Sequence, residues 1–140
     1  MKILYVDASP RTYRSEGSQE RVRKHQSAIF VSLNRFYSTT MLHDFMSTDV
    51  DHELALRYDL LITHLPYDKR TLLYLNALFK LEFILKNYKT KVVVYTGASP
   101  GDISDEDLKK KGVFGVVRKY DTQEDIAALE KIVQQIDDVD

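Results

Sequence analysis

Two short apolar runs on either side of a helical segment restrict the possible folds more than any other part of the chain. The β-branched runs Val92–Val94 and Val113–Val117 are too short for helices and suit strands that are buried on both faces. Between them, Ser104 and Asp107 have the spacing of a capping box at a helix start. A lysine triplet then precedes Gly112, as is typical of a helix that ends in a left-handed residue. The pattern therefore predicts a strand, a short helix and a second strand.

The rest of the chain alternates between strands and helices in the same way. The other predicted elements are strand Ile3–Val6, helix Gln19–Phe36, strand Thr39–Phe45, a short helix capped by Asp49 or Asp51, strand Asp59–His64, helix Lys69–Tyr88, and a last helix that starts near Thr122 with Asp125 completing a second capping box. Five strands that alternate with helices predict an α/β fold, a doubly wound parallel sheet with helices on both faces. Right-handed crossovers favour the flavodoxin-like strand order 2-1-3-4-5.

The predicted third helix is apolar on more than one side. One side carries Leu72, Leu75, Phe79 and Phe83, and another carries Leu78, Leu81 and Leu85. We interpret this pattern as a deeply buried helix. The alternative interpretation is an exposed apolar surface that serves dimerisation, and hence a homodimer.

Length and composition exclude several classes of function. The 140 residues suit one domain, predicted over residues 1–136, with the acidic residues 137–140 as a frayed tail. A net charge of −1 offers the whole molecule no electrostatic basis for binding nucleic acid. The absence of cysteine excludes disulfides, thiolate catalysis and cysteine metal sites. The sequence shows neither a signal peptide nor a membrane span, so a cytoplasmic location is expected.

Polar residues directly follow four of the predicted strands. Since the carboxyl ends of parallel strands meet at one edge of a sheet, where open α/β folds bind their ligands, these residues are expected to lie close together. They are Asp7, His64, Thr96 and Lys119. The sequence therefore predicts a site at this edge.

Four segments that contain these residues resemble, in their order along the chain, the motifs of response-regulator receiver domains. They are Ile-Leu-Tyr-Val-Asp-Ala-Ser-Pro at 3–10, Asp-Leu-Leu-Ile-Thr-His-Leu at 59–65, Tyr-Thr-Gly-Ala at 95–98 and the run from Gly112 to Lys119. The resemblance covers nearly the whole chain. It implies a role in signal transduction, with an acidic pair after the first strand, a phosphoacceptor aspartate after the third, a switch hydroxyl at Thr96 and a phosphate-binding lysine at Lys119.

The sequence departs from that family at the positions that carry its chemistry. Asp7 keeps one acid of the pair, but Ala8 replaces the other, and His64 stands where the phosphoacceptor aspartate belongs. Tyr120 replaces the usual proline, and Val116 stands where an aromatic switch residue often lies. An imidazole beside a single carboxylate is a poor Mg²⁺ site and cannot form an acyl phosphate. These departures imply a degenerate receiver, or pseudo-receiver, without normal aspartyl phosphorylation, metal or cofactor.

The residues at the edge also have simpler structural explanations, which we favour. Asp7 pairs with Lys119, the Thr96 hydroxyl satisfies a loop amide, and His64 is a polar cap on its strand. A phosphohistidine or a pH-sensitive contact at His64 is the alternative. The other histidines, His25, His43 and His52, have no metal-ligand spacing and are interpreted as surface residues.

Relatives with the receiver fold signal chiefly through the face formed by their fourth helix, fifth strand and fifth helix. Here the resemblance implies that this face presents Lys110, Val116 and Arg118. We therefore predict a protein-interaction module, not an enzyme, whose partner is another protein or an output domain.

The long polar segment after the first strand supports a second hypothesis. Ser9, Arg11, Ser15 and Ser18 resemble the phosphate loop of flavodoxin-like FMN reductases and azoreductases, and residues 65–67 resemble a loop near the flavin ring. This resemblance implies an FMN-dependent oxidoreductase. The surrounding basic cluster is interpreted as a solvated surface, with a local anion or partner site as the alternative; it consists of Arg11, Arg14, Arg21, Arg23 and Lys24.

Overall fold

A computed structural model describes residues 1–66 and 72–139, and over these residues five strands alternate with five α-helices. The elements are β1 Lys2–Asp7, α1 Glu16–Asn34, β2 Ser38–His43, α2 Thr48–Leu54, β3 Leu60–Thr63, α3 Leu72–Asn87, β4 Lys91–Thr96, α4 Asp105–Lys111, β5 Gly115–Arg118 and α5 Thr122–Val139. A short 3-10 turn, Pro10–Thr12, lies between β1 and α1. The start predicted for the third helix, at residue 69, lies outside the described residues.

The five strands form one parallel sheet in the order β2-β1-β3-β4-β5, which confirms the predicted flavodoxin-like topology. The register aligns Tyr5 with Ile62, Ile62 with Val93, and Val93 with Gly115. The three central strands are apolar on both faces because helices cover both sides of the sheet.

Alternate residues of each strand enter different hydrophobic cores. Leu4 and Val94 face the side covered by α2, α3 and α4, whereas Tyr5 and Tyr95 face the side covered by α1 and α5. Since side chains alternate along a strand, Asp7 lies on the same face as Tyr5. This periodicity places a carboxylate at the end of the α1–α5 core.

Helix caps explain where the helices begin and end. In α4 the Ser104 hydroxyl accepts from the Asp107 amide, and Gly112 ends the helix with a φ of 111°, as predicted. Helix α1 starts earlier than predicted because Ser15 caps it by accepting from the Ser18 amide. For α2 the prediction was wrong, since the cap is Ser47 and not Asp49 or Asp51.

The predicted capping box at α5 was also wrong. Asp121 supplies the cap, because its carboxylate accepts from the amide of Glu124. Asp125 is 2% exposed and turns inward, where its carboxylate accepts from the Tyr120 amide. The helix continues through residues 137 to 139, where a frayed tail was expected.

Helix α3 is not deeply buried, which corrects the favoured interpretation of its sequence. Only Ala77, Leu81 and Ile84 of this helix are buried in the core. The other predicted apolar side faces solvent, with exposed fractions of 76% for Leu72 and 66% for Phe79. Among the helices of the described residues, none is long and apolar enough to cross a membrane.

Candidate functional site

Asp7 and Lys119 form an ion pair at the carboxyl edge of the sheet. The Lys119 ammonium donates to Asp7 Oδ1 at 2.6 Å, and Asp7 is fully buried while the lysine side chain is 24% exposed. The two residues are 112 positions apart in sequence, and the parallel register brings β1 and β5 to the same edge. The predicted pairing is therefore confirmed.

Two further donors complete the surroundings of the Asp7 carboxylate. The Tyr5 hydroxyl donates to Oδ2 at 2.7 Å, and the Ala8 amide donates to Oδ1 at 2.8 Å. Burial, together with the neighbouring Asp7 charge, raises the pKa of Tyr5 far above its ordinary value, so this hydroxyl keeps its proton. Both carboxylate oxygens are thus occupied by groups of the protein itself.

A second polar cluster continues from Lys119 towards α5. The Lys119 ammonium lies 5.0 Å from the centre of the Tyr95 ring, and the Tyr95 hydroxyl donates to Asp125 Oδ2 at 2.6 Å. Burial and hydrogen bonding to Asp125 raise the pKa of Tyr95 far above its ordinary value. The cluster therefore links β1, β4, β5 and α5 around the Asp7–Lys119 pair.

His25 belongs to this cluster, which corrects its interpretation as a surface residue. Its Nε2 lies 2.6 Å from the Tyr95 hydroxyl, and its Nδ1 lies 2.9 Å from the hydroxyl of Thr122. Because the Tyr95 proton goes to Asp125, Nε2 carries the imidazole proton and Nδ1 accepts from Thr122. Burial, and then the Lys119 charge, lower the pKa of His25, so the ring is neutral at pH 7.

Thr96 lies at the end of β4, and its hydroxyl is used within the chain. The residue is 1% exposed, and its Oγ1 accepts from the Ala98 amide at 3.0 Å. This hydrogen bond closes the start of the loop that leads to α4. The structure thus confirms the explanation that the hydroxyl satisfies a loop amide.

His64 directly follows β3 and contacts the loop after β2. Its ring Nε2 accepts from the Phe45 amide at 3.3 Å, and its own amide donates to the Val6 carbonyl at 3.1 Å. Burial lowers the pKa of His64; the Asp7 charge opposes this shift and the Lys119 charge adds to it. The ring is thus a neutral acceptor that joins two loops, and phosphorylation at Nε2 would remove the hydrogen bond.

The two depressed histidine pKa values predict that stability falls as the solution becomes acidic. Below about pH 6.5 the unfolded chain takes up a proton at each histidine that the folded ring resists, so the free energy of unfolding decreases as pH falls. Urea unfolding at several pH values between neutral and mildly acid will measure this slope. In His64→Gln, whose amide oxygen can still accept from Phe45, we expect a shallower slope, and an unchanged slope would contradict the assignment.

Over the described residues, the carboxyl edge of the sheet does not offer the ligand set that Mg²⁺ requires. Asp7 is the single carboxylate that remains from the implied acidic set, and it is held by an ammonium and two neutral donors. Ala8 offers no side-chain ligand, and His64 Nε2 is already an acceptor for Phe45. Among the residues that the structure describes, no three His, Cys, Asp or Glu side chains gather in a way that could hold a metal ion.

The three residues predicted for an interaction face lie on α4 and β5, but Arg118 is engaged within the chain. Lys110 is exposed and pairs with Glu106 at 3.5 Å along α4, and Val116 is partly buried. The Arg118 guanidinium instead donates to the carbonyls of Ala98 and Ile103, at 2.9 and 2.5 Å. It also contacts the Asp105 carboxylate, so Arg118 holds the β4–α4 loop rather than pointing to solvent.

The residues of the alternative phosphate loop do not converge on one cradle. Ser15 and Ser18 hydrogen-bond to each other at 2.9 Å in the cap of α1, and Ser9 caps the 3-10 turn. Arg11 and Ser9 line an open groove of about 550 Å³ between α1 and β2, whereas Ser15 and Ser18 lie outside this groove. In the loop predicted to lie near the flavin ring, Leu65 is 2% exposed in the core, and Tyr67 lies outside the described residues. The geometry therefore gives the flavin hypothesis no support.

Comparison with known proteins identifies the fold. No family model and no curated protein sequence matches the chain. Among solved structures, the chain is similar to the RcsB response regulator of Salmonella typhimurium, with a TM-score of 0.64 and 17% identity over 99% of this chain and 60% of that one. A CheY-like receiver domain from Methylobacillus flagellatus matches with a TM-score of 0.60 and 19% identity, over 97% of this chain and 98% of that one. The chain has the receiver-domain fold.

A third receiver structure matches over a similar length. The chemotaxis response regulator CheY4 of Vibrio cholerae has a TM-score of 0.52 and 17% identity, over 94% of this chain and 97% of that one. In all three matches nearly the whole chain follows the receiver fold. The chain spans only about three fifths of the RcsB structure, whereas the two other matches are covered almost completely.

Proposed function

We propose that this protein is a receiver-like signalling domain that acts by binding a protein and that does not use aspartyl phosphorylation. The observation that carries the proposal is the closed Asp7–Lys119 pair, in which the carboxylate is fully buried and accepts from three donors of the same chain. The receiver-domain fold supports the signalling role. The four polar residues lie at the carboxyl edge of the sheet, the region that phosphotransfer would use in such a fold.

In the part of the chain that the structure describes, each group that aspartyl phosphorylation needs is either replaced or already engaged. An acyl phosphate forms on a carboxylate, but an imidazole follows β3 at His64. Lys119, which would neutralise the phosphoryl group, is bound to Asp7, and the Thr96 hydroxyl is bound to the Ala98 amide. A phosphoryl group would therefore have to replace existing contacts without a Mg²⁺ ion to neutralise its charge.

The proposed partner surface is the face of α4, β5 and α5. A groove of about 450 Å³ runs between β5 and α5, with Val116, Tyr120 and Lys131 among its lining residues. Tyr120 is 85% exposed beside this groove, and aromatic side chains with a polar tip are frequent anchors in protein interfaces. With Arg118 engaged inside the chain, we assign the recognition to Tyr120, Val116 and Lys110, and the partner to another protein or an output domain.

We expect the wild-type protein to show no response to acetyl phosphate or to beryllofluoride with Mg²⁺. Phosphate incorporation will be measured by intact-protein mass spectrometry, and the structural response by ¹H–¹⁵N NMR spectra. Ala8→Asp with His64→Asp is the matched control, because it restores the two missing carboxylates at the same edge. Wild-type protein that gains one phosphoryl group, or whose spectrum shifts with beryllofluoride, would refute the proposed mechanism.

A further inference from the structure

Helix α3 presents a continuous apolar stripe to solvent. It consists of Leu72, Leu75, Phe79 and Phe83, which are 76%, 46%, 66% and 57% exposed. Residues three or four positions apart lie on one side of a helix, so these four side chains form a single seam along its length. Large apolar residues scattered singly on a surface need no explanation, but a contiguous seam rimmed by polar groups is typical of an interaction site.

Ion pairs to the two neighbouring helices border the α3 stripe. On one flank the Lys80 ammonium contacts Asp51 of α2 at 3.3 Å, and on the other the Glu82 carboxylate contacts Lys111 of α4 at 2.6 Å. Each ion pair is neutral, and the Lys80 side chain is 11% exposed, so the flanks carry little free charge. The exposed Lys86 adds one positive charge on this side of the helix, near its C-terminal end. A strongly charged partner would find little complementary charge here, whereas an antiparallel pair of copies would keep the two Lys86 side chains at opposite ends of the contact.

We infer that the α3 stripe is the contact between two copies of this chain, in an antiparallel arrangement about a two-fold axis. Because a two-fold contact uses the same surface twice, each flank faces its own copy, and the flanking charges are already neutralised within each chain. This inference concerns a surface other than the proposed α4–β5–α5 partner face, and it does not depend on the proposed function.

The distribution of side-chain sizes along the stripe selects the antiparallel arrangement. The leucines at 72 and 75 lie in the first half of α3, and the phenylalanines at 79 and 83 lie in the second half. Antiparallel helices bring a leucine against a phenylalanine in every layer, which keeps the layers equal in volume. Parallel helices would stack phenylalanine on phenylalanine at one end and leave a thin layer at the other.

The area of the stripe predicts a reversible dimer rather than a permanent one. With roughly 150–250 Å² for a large apolar side chain, the exposed fractions correspond to on the order of 500 Å² on each copy. Contact areas of this size are found in weak, reversible complexes and are smaller than those of obligate dimers. We therefore expect a dissociation constant on the order of micromolar.

Sedimentation equilibrium of the intact chain, from about 1 μM to about 1 mM, tests the inference. The apparent mass should rise from the 16.3 kDa of one chain towards twice that value. Phe79→Glu and Phe83→Ser change solvent-exposed side chains and should keep the fold, yet each should weaken the dimer by about 100-fold. Phe36→Glu is the matched control: it alters a residue that is 71% exposed at the end of α1, and dimerisation should stay the same within about twofold.

Cross-linking tests the arrangement of the two copies directly. The chain has no cysteine, so a single introduced thiol is unambiguous. In the antiparallel pair the exposed Asn76 lies near the two-fold axis and the exposed Asn87 lies far from it, so Asn76→Cys should form a disulfide dimer and Asn87→Cys should not. A wild-type chain that stays monomeric at the highest concentration, or a dimer that Phe79→Glu leaves intact, would overturn the inference. Equal cross-linking at both positions, or none at either, would overturn the antiparallel arrangement.

Discussion

Replacing Lys119 with methionine is expected to lower the free energy of unfolding by about 3–5 kcal/mol, because it leaves the Asp7 carboxylate buried without a counter-charge. Tyr5 and the Ala8 amide would still donate to the carboxylate, but neither neutralises it. Methionine keeps most of the length of the side chain over the Tyr95 ring, so the change isolates the charge. Urea unfolding at neutral pH, followed by circular dichroism, measures the loss.

Replacing the other partner of the pair, in Asp7→Asn, should lower the free energy of unfolding by less than Lys119→Met does. The difference between the two variants tests the electrostatic argument. In Asp7→Asn the lysine, whose side chain is 24% exposed, can turn its ammonium towards water, whereas Asp7 in Lys119→Met is 0% exposed and cannot. The double variant Asp7→Asn with Lys119→Met should recover part of the stability that Lys119→Met loses. If Lys119→Met costs less than about 1 kcal/mol, or if the double variant is no more stable than Lys119→Met, the pair does not hold the edge of the sheet.

Replacing Arg118 with alanine is expected to destabilise the protein by about 2–3 kcal/mol. The guanidinium donates to the carbonyls of Ala98 and Ile103, which belong to residues that are 4% and 1% exposed, and these carbonyls would lose their donors. The Asp105 carboxylate in the first turn of α4 would lose its partner as well. Because these contacts join β5 to the β4–α4 loop, we expect amide hydrogen exchange to speed up first in that loop.

Lys110→Ala is the matched control for Arg118→Ala. Lys110 is 71% exposed and pairs with Glu106 on its own helix, so its loss should change stability by less than about 0.5 kcal/mol. The two variants also separate stability from recognition on the α4–β5–α5 face. Weaker binding of a verified partner by Lys110→Ala would be a direct effect, whereas weaker binding by Arg118→Ala could follow from the loosened loop. Equal stability of the two variants would show that the Arg118 contacts are dispensable.

The order of strands and helices was predictable because its signals are local. Short β-branched runs, the Ser104 cap and Gly112 act within a few residues, and the right-handed crossover then restricts the order of parallel strands. The pairing of Asp7 with Lys119 followed from the same logic, since both residues end strands that meet at one edge. The predicted cap at Asp49 or Asp51 and the predicted capping box at Asp125 were wrong, because the neighbouring polar residues Ser47 and Asp121 cap those helices instead.

Only the tertiary structure decided which polar and apolar side chains face each other. His25 meets Tyr95 across 70 positions of sequence, and Arg118 meets the Ala98 carbonyl across 20, so no local pattern could indicate either contact. The sequence of α3 is apolar on two sides, but a two-layered core can cover just one of them, and α2 and α4 leave the stripe of Leu72, Leu75, Phe79 and Phe83 in solvent. The sequence by itself therefore determined the topology and the residues at the edge of the sheet, because periodicity and caps are local. The tertiary structure decided which of those side chains bind one another and which apolar surface remains exposed, because burial depends on packing between elements that are distant in sequence.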